Sequence, residues 1–372
     1  MDVCELSPSY VRGIAPYQPG KPISEVAREY GLDEAKIIKL ASNENPMGIS
    51  PLARAAIEKE IADLSRYPDG NAFDLKAAIA GKFAIDAAQI VVGNGSNDLL
   101  EMLAGAFLAP GRAAVFSQHA FAIYPLATQA RGAKCISVPA RDFAHDLEAM
   151  VAAITPETRL VFIANPNNPT GTFAPGREIG RFLEKAPRDV VVVLDEAYNQ
   201  YIPEDARYDS LRFLGAHPNL VVLRTFSKIY GLAGLRVGFG AMSPGIADLL
   251  NRVRQPFNVN SLALAAACAA LGDDDFVKRS FENNLAGMRQ LEQGFRRLGL
   301  PFIPSCANFI AFGVPRDAGK PMGNVVFDRL LRRGVIVRPV AGYEMPDHLR
   351  VTIGTPAENE AFLAALTAAL KG

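Results

Sequence analysis

The sequence predicts an α/β fold built on a buried, mostly parallel β-sheet, and two observations carry that expectation. The first is a set of seven short, apolar, β-branched runs at 90–92, 113–116, 135–138, 160–163, 190–194, 220–223 and 237–240. Helix-compatible segments such as 96–108 and 121–130 separate most of them. Strands that are apolar throughout are covered on both faces, as happens when crossover helices pack on each side of a parallel sheet. The second is a change of pattern after Pro256: an Ala-rich helix over 261–271, a long amphipathic helix over 276–298, then short strands alternating with helices. That remainder reads as a smaller α+β domain. The expected division is a large domain of residues 46–274 and a small domain formed by 1–45 and 275–372, with the N-terminal arm completing the latter. A chain of 372 residues can supply both cores.

Taken in order, Pro8, Pro16, Pro19 and Pro22 keep the arm extended, and a brief helix over 24–30 stops at Gly31. A short strand over 37–40 leads into the polar loop 41–46. Residues 51–64 read as a helix with Leu52, Ala55, Ala56 and Ile57 on its apolar side; 66–70 is a turn cluster and 73–83 a second helix. In the C-terminal part the strands are expected at 308–312, 335–337 and 349–353. The long helix would turn Val277, Phe281, Leu285, Met288, Leu291, Phe295 and Leu298 inward, behind an acidic start at 273–275. The last helix opens on Thr355-Pro356-Ala357-Glu358, a capping box with Pro at the first helical position.

Composition narrows the function. Lys plus Arg is 39 and Asp plus Glu is 39, so there is no basic excess of the kind that nucleic-acid and membrane-surface binders carry. The four cysteines show no C-x-x-C spacing, which fits free thiols in a reducing compartment and gives no metal site. The N-terminus has neither a basic nor an apolar leader region, and the most apolar helical run, 262–271, is too short to span a bilayer. The expectation is a soluble cytoplasmic protein acting on small molecules.

Four strand ends carry polar residues that plain loops do not need together. Gly93-Asn94-Gly95-Ser96-Asn97-Asp98 opens a helix, and backbone N–H groups there can cradle a phosphate. It is neither a dinucleotide fingerprint nor a P-loop, because the third glycine and the G-x-x-x-x-G-K-[ST] pattern are absent. Asn165-Pro166-Asn167-Asn168-Pro169-Thr170-Gly171 is a constrained loop that can present Asn168 or Asn165 to a ligand. Asp195 ends a run of apolar residues and needs a cationic partner, either a ligand or a nearby Arg. Ser227-Lys228 follows the next run, with Arg236 eight residues on and Gly231, Gly234 and Gly238 as points of close backbone approach. A strand-end Lys, a strand-end Asp and a phosphate cradle describe pyridoxal phosphate, whose aldehyde needs an amine, whose ring nitrogen needs an acid and whose phosphate needs donors.

These motifs resemble the fold-type I pyridoxal-phosphate aminotransferases, as does Leu349-Arg350-Val351-Thr352-Ile353-Gly354, and the likeness covers nearly the whole chain. Ala41-Ser42-Asn43-Glu44-Asn45-Pro46, Arg66-Tyr67-Pro68-Asp69-Gly70 and 93–98 are similar to the histidinol-phosphate branch of that family. The resemblance implies roles. Lys228 forms the Schiff base and shuttles the proton. Asp195 pairs with the ring nitrogen, and Asn168 and Tyr198 bond the phenolic oxygen. Ser227, Arg236, Ser96 and Asn97 hold the phosphate, and Tyr67 reaches it from a second subunit of a homodimer. Phe121 stacks on the ring where the family often has Tyr. Arg350 binds the carboxylate of glutamate or 2-oxoglutarate, while Tyr17, Asn43 and Arg338 line the substrate side. The implied reaction moves an amino group between L-histidinol phosphate and 2-oxoglutarate. An aromatic amino-acid or prephenate aminotransferase, a related decarboxylase and a non-catalytic cofactor-binding protein are the alternatives; Lys228, Asp195 and Arg350 together argue against the last.

Overall fold

The computed structural model describes residues 2–371. Its strands are β1 (Ile38–Lys39), β2 (Ile90–Gly93), β3 (Ala113–Ser117), β4 (Lys134–Val138), β5 (Thr158–Ala164), β6 (Val191–Asp195), β7 (Leu220–Thr225), β8 (Gly238–Met242), β9 (Phe309–Gly313), β10 (Val335–Ile336), β11 (Arg338–Pro339) and β12 (His348–Thr352). The seven expected runs are β2 to β8, and they form one sheet in the order β2-β8-β7-β6-β5-β3-β4. Only the pairings of β8, with β2 and with β7, are antiparallel; the rest are parallel. The central strands are sealed on both faces: Phe162, Ile163, Val193, Leu194, Val221 and Val222 expose nothing to water. Burial of such side chains contributes roughly 1.5–3 kcal/mol each, and it needs helices on both sides, which the apolar runs implied.

Residues 309–352 supply a second, antiparallel sheet in the order β11-β12-β9. The N-terminal arm lies beside it: β1 and β10 form a separate parallel pair, and Thr352 N–H donates to the Leu40 carbonyl at 2.8 Å. Leu40, Met288, Leu291, Phe295, Ile310, Phe312 and Phe362 pack into one core beside this sheet.

Two helix faces differ from expectation. The helix Pro51–Glu60 buries Ala53 and leaves Leu52 half exposed, continuing as a 3-10 turn to Asp63. The long helix, Asp274–Leu298, buries Phe276, Ser280, Asn284, Gly287, Leu291, Gly294 and Phe295, with Met288 beside them. A side chain at Gly287 would meet Ile353, and one at Gly294 would meet Leu363. The helix therefore packs by close approach of small residues, which an apolarity count does not register. The capping box forms as expected: Glu358 accepts from Thr355 N–H at 2.7 Å, and Thr355 accepts from Glu358 N–H at 3.3 Å. Among the described residues no helix is long and apolar enough to cross a membrane.

Candidate active site

In a parallel sheet, ligands lie beyond the carboxyl ends of the strands. The loops leaving β2, β3, β5, β6 and β7 line one cavity here, closed by Tyr17, Ser42 and Asn43 from the arm and by Arg338, Tyr343 and Arg350 from the small sheet. Of the fourteen residues to which the resemblance gives roles, thirteen line it and Tyr67 does not; Asn165, the other asparagine offered for a ligand, does not line it either.

Asp195 ends β6 on the cavity floor with 5% of its surface exposed. Its Oδ2 accepts from the Tyr124 hydroxyl at 2.9 Å and its Oδ1 from Ala197 N–H at 3.3 Å. Burial pushes its carboxyl up to about 6, and the Tyr124 hydrogen bond opposes that rise. Among the described residues no arginine partners it. Arg224 on β7 gives Nε and Nη2, both at 3.0 Å, to the neighbouring Glu196. The salt bridge considered for Asp195 thus belongs to the residue beside it.

Lys228 follows β7, as expected of an anchor between a strand and a loop. Its Nζ donates to the Ser42 carbonyl at 3.3 Å and lies 5.7 Å from the centre of the Tyr198 ring. Burial, reinforced by the Arg350 charge, lowers its ammonium to about 8, which brings a neutral amine within reach near neutral pH.

The third corner is built for an anion. Gly95, at φ +80°, precedes the helix Ser96–Phe107. A Cβ on Gly95 would stand 2.6 Å from Arg236 Nη2, and one on Gly238 would stand 2.8 Å from the Ser96 nitrogen. The guanidinium, folded back by an Arg236 φ of +58°, donates to Ser227 Oγ at 3.3 Å and to the Ala233 carbonyl at 3.1 Å. Of the three glycines expected to permit close approach here, Gly231 and Gly238 do so. Gly234 has nothing within 4 Å of a would-be Cβ.

Between these corners lies a polar wall. Both Asn165–Pro166 and Asn168–Pro169 are cis. Arg350 Nη1 donates to Asn168 Oδ1 and Nη2 to the Ala41 carbonyl at 2.8 Å, while its buried Nε has no partner. Asn43, at φ +56°, donates from Nδ2 to the Tyr198 hydroxyl at 2.8 Å and is itself gripped by Thr352 and Asn308. Burial pushes the Tyr198 phenol up to about 12. Arg338 donates to the Gln18 carbonyl at 2.7 Å and lies over the Tyr17 ring at 5.6 Å. Phe121 meets Tyr124 edge-on. Tyr67 is 82% exposed and stacks on Phe257 outside the cavity. Sequence reasoning did not single out Tyr124 as Asp195's partner, nor Thr352 and Asn308 as supports of Asn43.

The donor set fits pyridoxal phosphate. A strand-end amine, a buried carboxylate for a protonated ring nitrogen, two polar side chains for a phenolic oxygen and a glycine-lined arginine cradle for phosphate converge on one cavity. The comparisons with known proteins agree. The family model described as aminotransferase class I and II matches residues 35–366. The chain is 57% identical to histidinol-phosphate aminotransferase 2 of Nitrosospira multiformis over 100% of this chain and 93% of that one. It is 59% identical to histidinol-phosphate aminotransferase of Methylobacillus flagellatus over 99% and 98%. Among solved structures, the histidinol-phosphate aminotransferase of Sinorhizobium meliloti in complex with pyridoxal-5'-phosphate superposes with a TM-score of 0.88 at 29% identity, covering 97% of this chain and 96% of that one.

Proposed function

The chain belongs to the class I and II aminotransferases, and from that premise we propose that it exchanges an amino group between L-histidinol phosphate and 2-oxoglutarate, giving imidazole-acetol phosphate and glutamate, in histidine biosynthesis. The observation that carries the reading is three arginines in one cavity, Arg236, Arg338 and Arg350, none with a carboxylate partner among the described residues. A guanidinium without an acid partner, buried for Arg350 and half-buried for Arg338, is costly unless a ligand supplies the anion; the more exposed Arg236 is held at the cavity by Ser227 and the Ala233 carbonyl. One is assigned to the cofactor phosphate and two to the substrate's anionic groups, a phosphate or a carboxylate.

When bound there, pyridoxal phosphate would supply an aldehyde for the amino group and an electron-withdrawing ring. Lys228 Nζ would attach the cofactor and, once released, would take up the proton leaving the substrate's Cα. Asp195 holds the proton on the ring nitrogen. Asn168 and Tyr198 orient the phenolic oxygen, and Phe121 covers the ring face. Arg236, Ser227 and the amides of Ser96 and Asn97 hold the phosphate, while Arg350, Arg338, Tyr17 and Asn43 orient the substrate. Tyr67 completes the phosphate site of a partner copy in a homodimer. That assignment is supported by its exposure beside Ile61, Leu64 and Phe73, all more than half exposed in the single chain. We assign the division into 46–274 and 1–45 with 275–372, a reading supported by the seven-stranded sheet lying within the first part and the two smaller sheets within the second. A cytoplasmic location accords with four free thiols.

Single-turnover rates with histidinol phosphate, phenylalanine and tyrosine test the substrate. Fastest turnover of histidinol phosphate is expected; faster turnover of phenylalanine moves the enzyme to the aromatic alternative. Loss of the bound cofactor's visible band in Lys228→Ala tests the anchor.

A further inference from the structure

Two consecutive residues after β3 grip two consecutive residues of the small domain. Gln118 Nε2 donates to Glu344 Oε2 at 2.6 Å, and His119 Nδ1 lies 2.7 Å from the Tyr343 carbonyl. A carbonyl only accepts, so Nδ1 carries the hydrogen in that contact. Neither side chain is free to turn away. The Gln118 amide is used at both ends, because its Oε1 accepts from Ala140 N–H at 3.2 Å. The His119 carbonyl accepts from Asn167 Nδ2 at 2.8 Å, which ties it to the loop that presents Asn168. The His119 ring, 8% exposed, sits against Phe143.

The gripped residues close the turn Ala341–Tyr343, whose cap, Glu344, has a φ of +60°. A non-glycine residue in that region costs about 1 kcal/mol or more and persists where surrounding contacts hold it. The same turn follows β11, and both Tyr343 and Arg338 line the cavity. Neither Gln118 nor His119 lines it.

We propose that Gln118 and His119 are positioning residues that clasp the 341–344 turn onto the end of β3 and thereby set the substrate wall carrying Arg338 and Tyr343. The clasp spans the large and small sheets on the substrate side, away from the phosphate cradle. Its loss therefore weakens recognition of the substrate's distal anionic group and leaves cofactor attachment intact. The inference rests on the reading of Arg338 as a substrate contact. The hydrogen bonds themselves do not depend on which amino acid is the substrate.

The test uses the holoenzyme. His119→Phe keeps an aromatic ring and removes the donor, while His119→Asn places an amide N–H where Nδ1 was. Losing one net hydrogen bond corresponds to about a three- to tenfold effect. That is the rise in KM for histidinol phosphate expected in His119→Phe, with kcat changed less than about twofold and the visible band unaltered. His119→Asn is expected to restore most of the KM. Hydrogen–deuterium exchange on the cofactor-free chain, read on peptides covering 338–345, should rise in His119→Phe and in Gln118→Leu and return towards wild type in His119→Asn. Wild-type KM and exchange in Gln118→Leu or His119→Phe overturn the proposal. So does equal impairment of His119→Phe and His119→Asn, which is the mark of a merely structural residue. Failure of the wild type to turn over histidinol phosphate overturns the substrate reading instead, and the exchange experiment still decides the clasp.

Discussion

Tyr124 donates its hydroxyl hydrogen to Oδ2 of Asp195 across 2.9 Å, from a fully buried ring stacked at 4.7 Å on Phe162. The carboxylate that we propose faces a protonated ring nitrogen is therefore held by a neutral donor. A cation in that place would compete with the pyridinium for the same charge. A tyrosine steadies the carboxylate and leaves its charge available.

Tyr124→Phe keeps the stack on Phe162 and deletes only the hydroxyl. Hydrogen bonds to charged groups are worth roughly 1.5–3 kcal/mol, so the Asp195 carboxyl should rise further above its present value near 6. At neutral pH less of it is ionised, and its pairing with the ring nitrogen weakens. The expected outcome is a fall in kcat/KM of about tenfold or more. The acid limb of the cofactor-binding pH profile should move upward. Fluorescence or absorbance titration of cofactor from pH 5 to pH 8 measures it; an unmoved acid limb rules the coupling out.

Much of this arrangement is legible in the sequence, for a physical reason. Central strands buried on both faces are continuous β-branched runs, and a polar residue placed at the end of such a run, like Asp195 or Lys228, stands out against it. Tyr124 did not stand out, because it lies in a helix among apolar neighbours and reads as core until its hydroxyl is given a direction. The nearby Arg considered as a partner for Asp195 has its strand candidate in Arg224, which pairs elsewhere. It is the nearest strand cation to Asp195 in sequence terms, but side chains alternate across a strand, and that alternation sends it to Glu196 on the other face. Tyr67 marks a different limit: its assigned partner would be in a second chain, so its place in one chain is an exposed ring on Phe257.

Gly231 and Gly234 separate a glycine that is required from one that is not. Gly231 adopts φ +71°, and a Cβ there would sit 1.9 Å from the Gly48 carbonyl oxygen, in the segment that follows Ser42 and Asn43. Gly234 lies in the turn Ala233–Leu235 with open space around it. Gly231→Ala should therefore cost more than about 2 kcal/mol through clash and left-handed strain, lowering Tm by several degrees. It should also weaken cofactor retention by displacing the Ser42 loop. Gly234→Ala should be neutral or stabilise by up to about 0.5 kcal/mol. Thermal melts of both variants with and without cofactor read the difference; equal melting points would remove the argument from close approach.

Lys228 links the chemistry to stability. Burial and the Arg350 charge hold its ammonium at about 8 in the folded chain, against an ordinary 10.5. The folded state therefore binds this proton less well than the unfolded state does, and the charged amine is a source of instability in the cofactor-free protein. That penalty is fully present below the folded value near 8 and fades as pH rises to the ordinary value, where both states have lost the proton. Replacing the amine with an apolar chain of similar length removes the penalty. Lys228→Met is expected to make the cofactor-free protein more stable at pH 7 by roughly 1–2 kcal/mol, because partial contact with water screens the full shift. The gain should shrink through pH 8 to 10 and vanish above it. Urea denaturation of both cofactor-free proteins at pH 7 and pH 10 tests this directly. A variant that is less stable than the wild type at pH 7, or a gain that does not depend on pH, would show that the Lys228 ammonium is not the strained group. In the loaded enzyme the order should reverse, because the wild type alone gains the stabilisation of the attached cofactor.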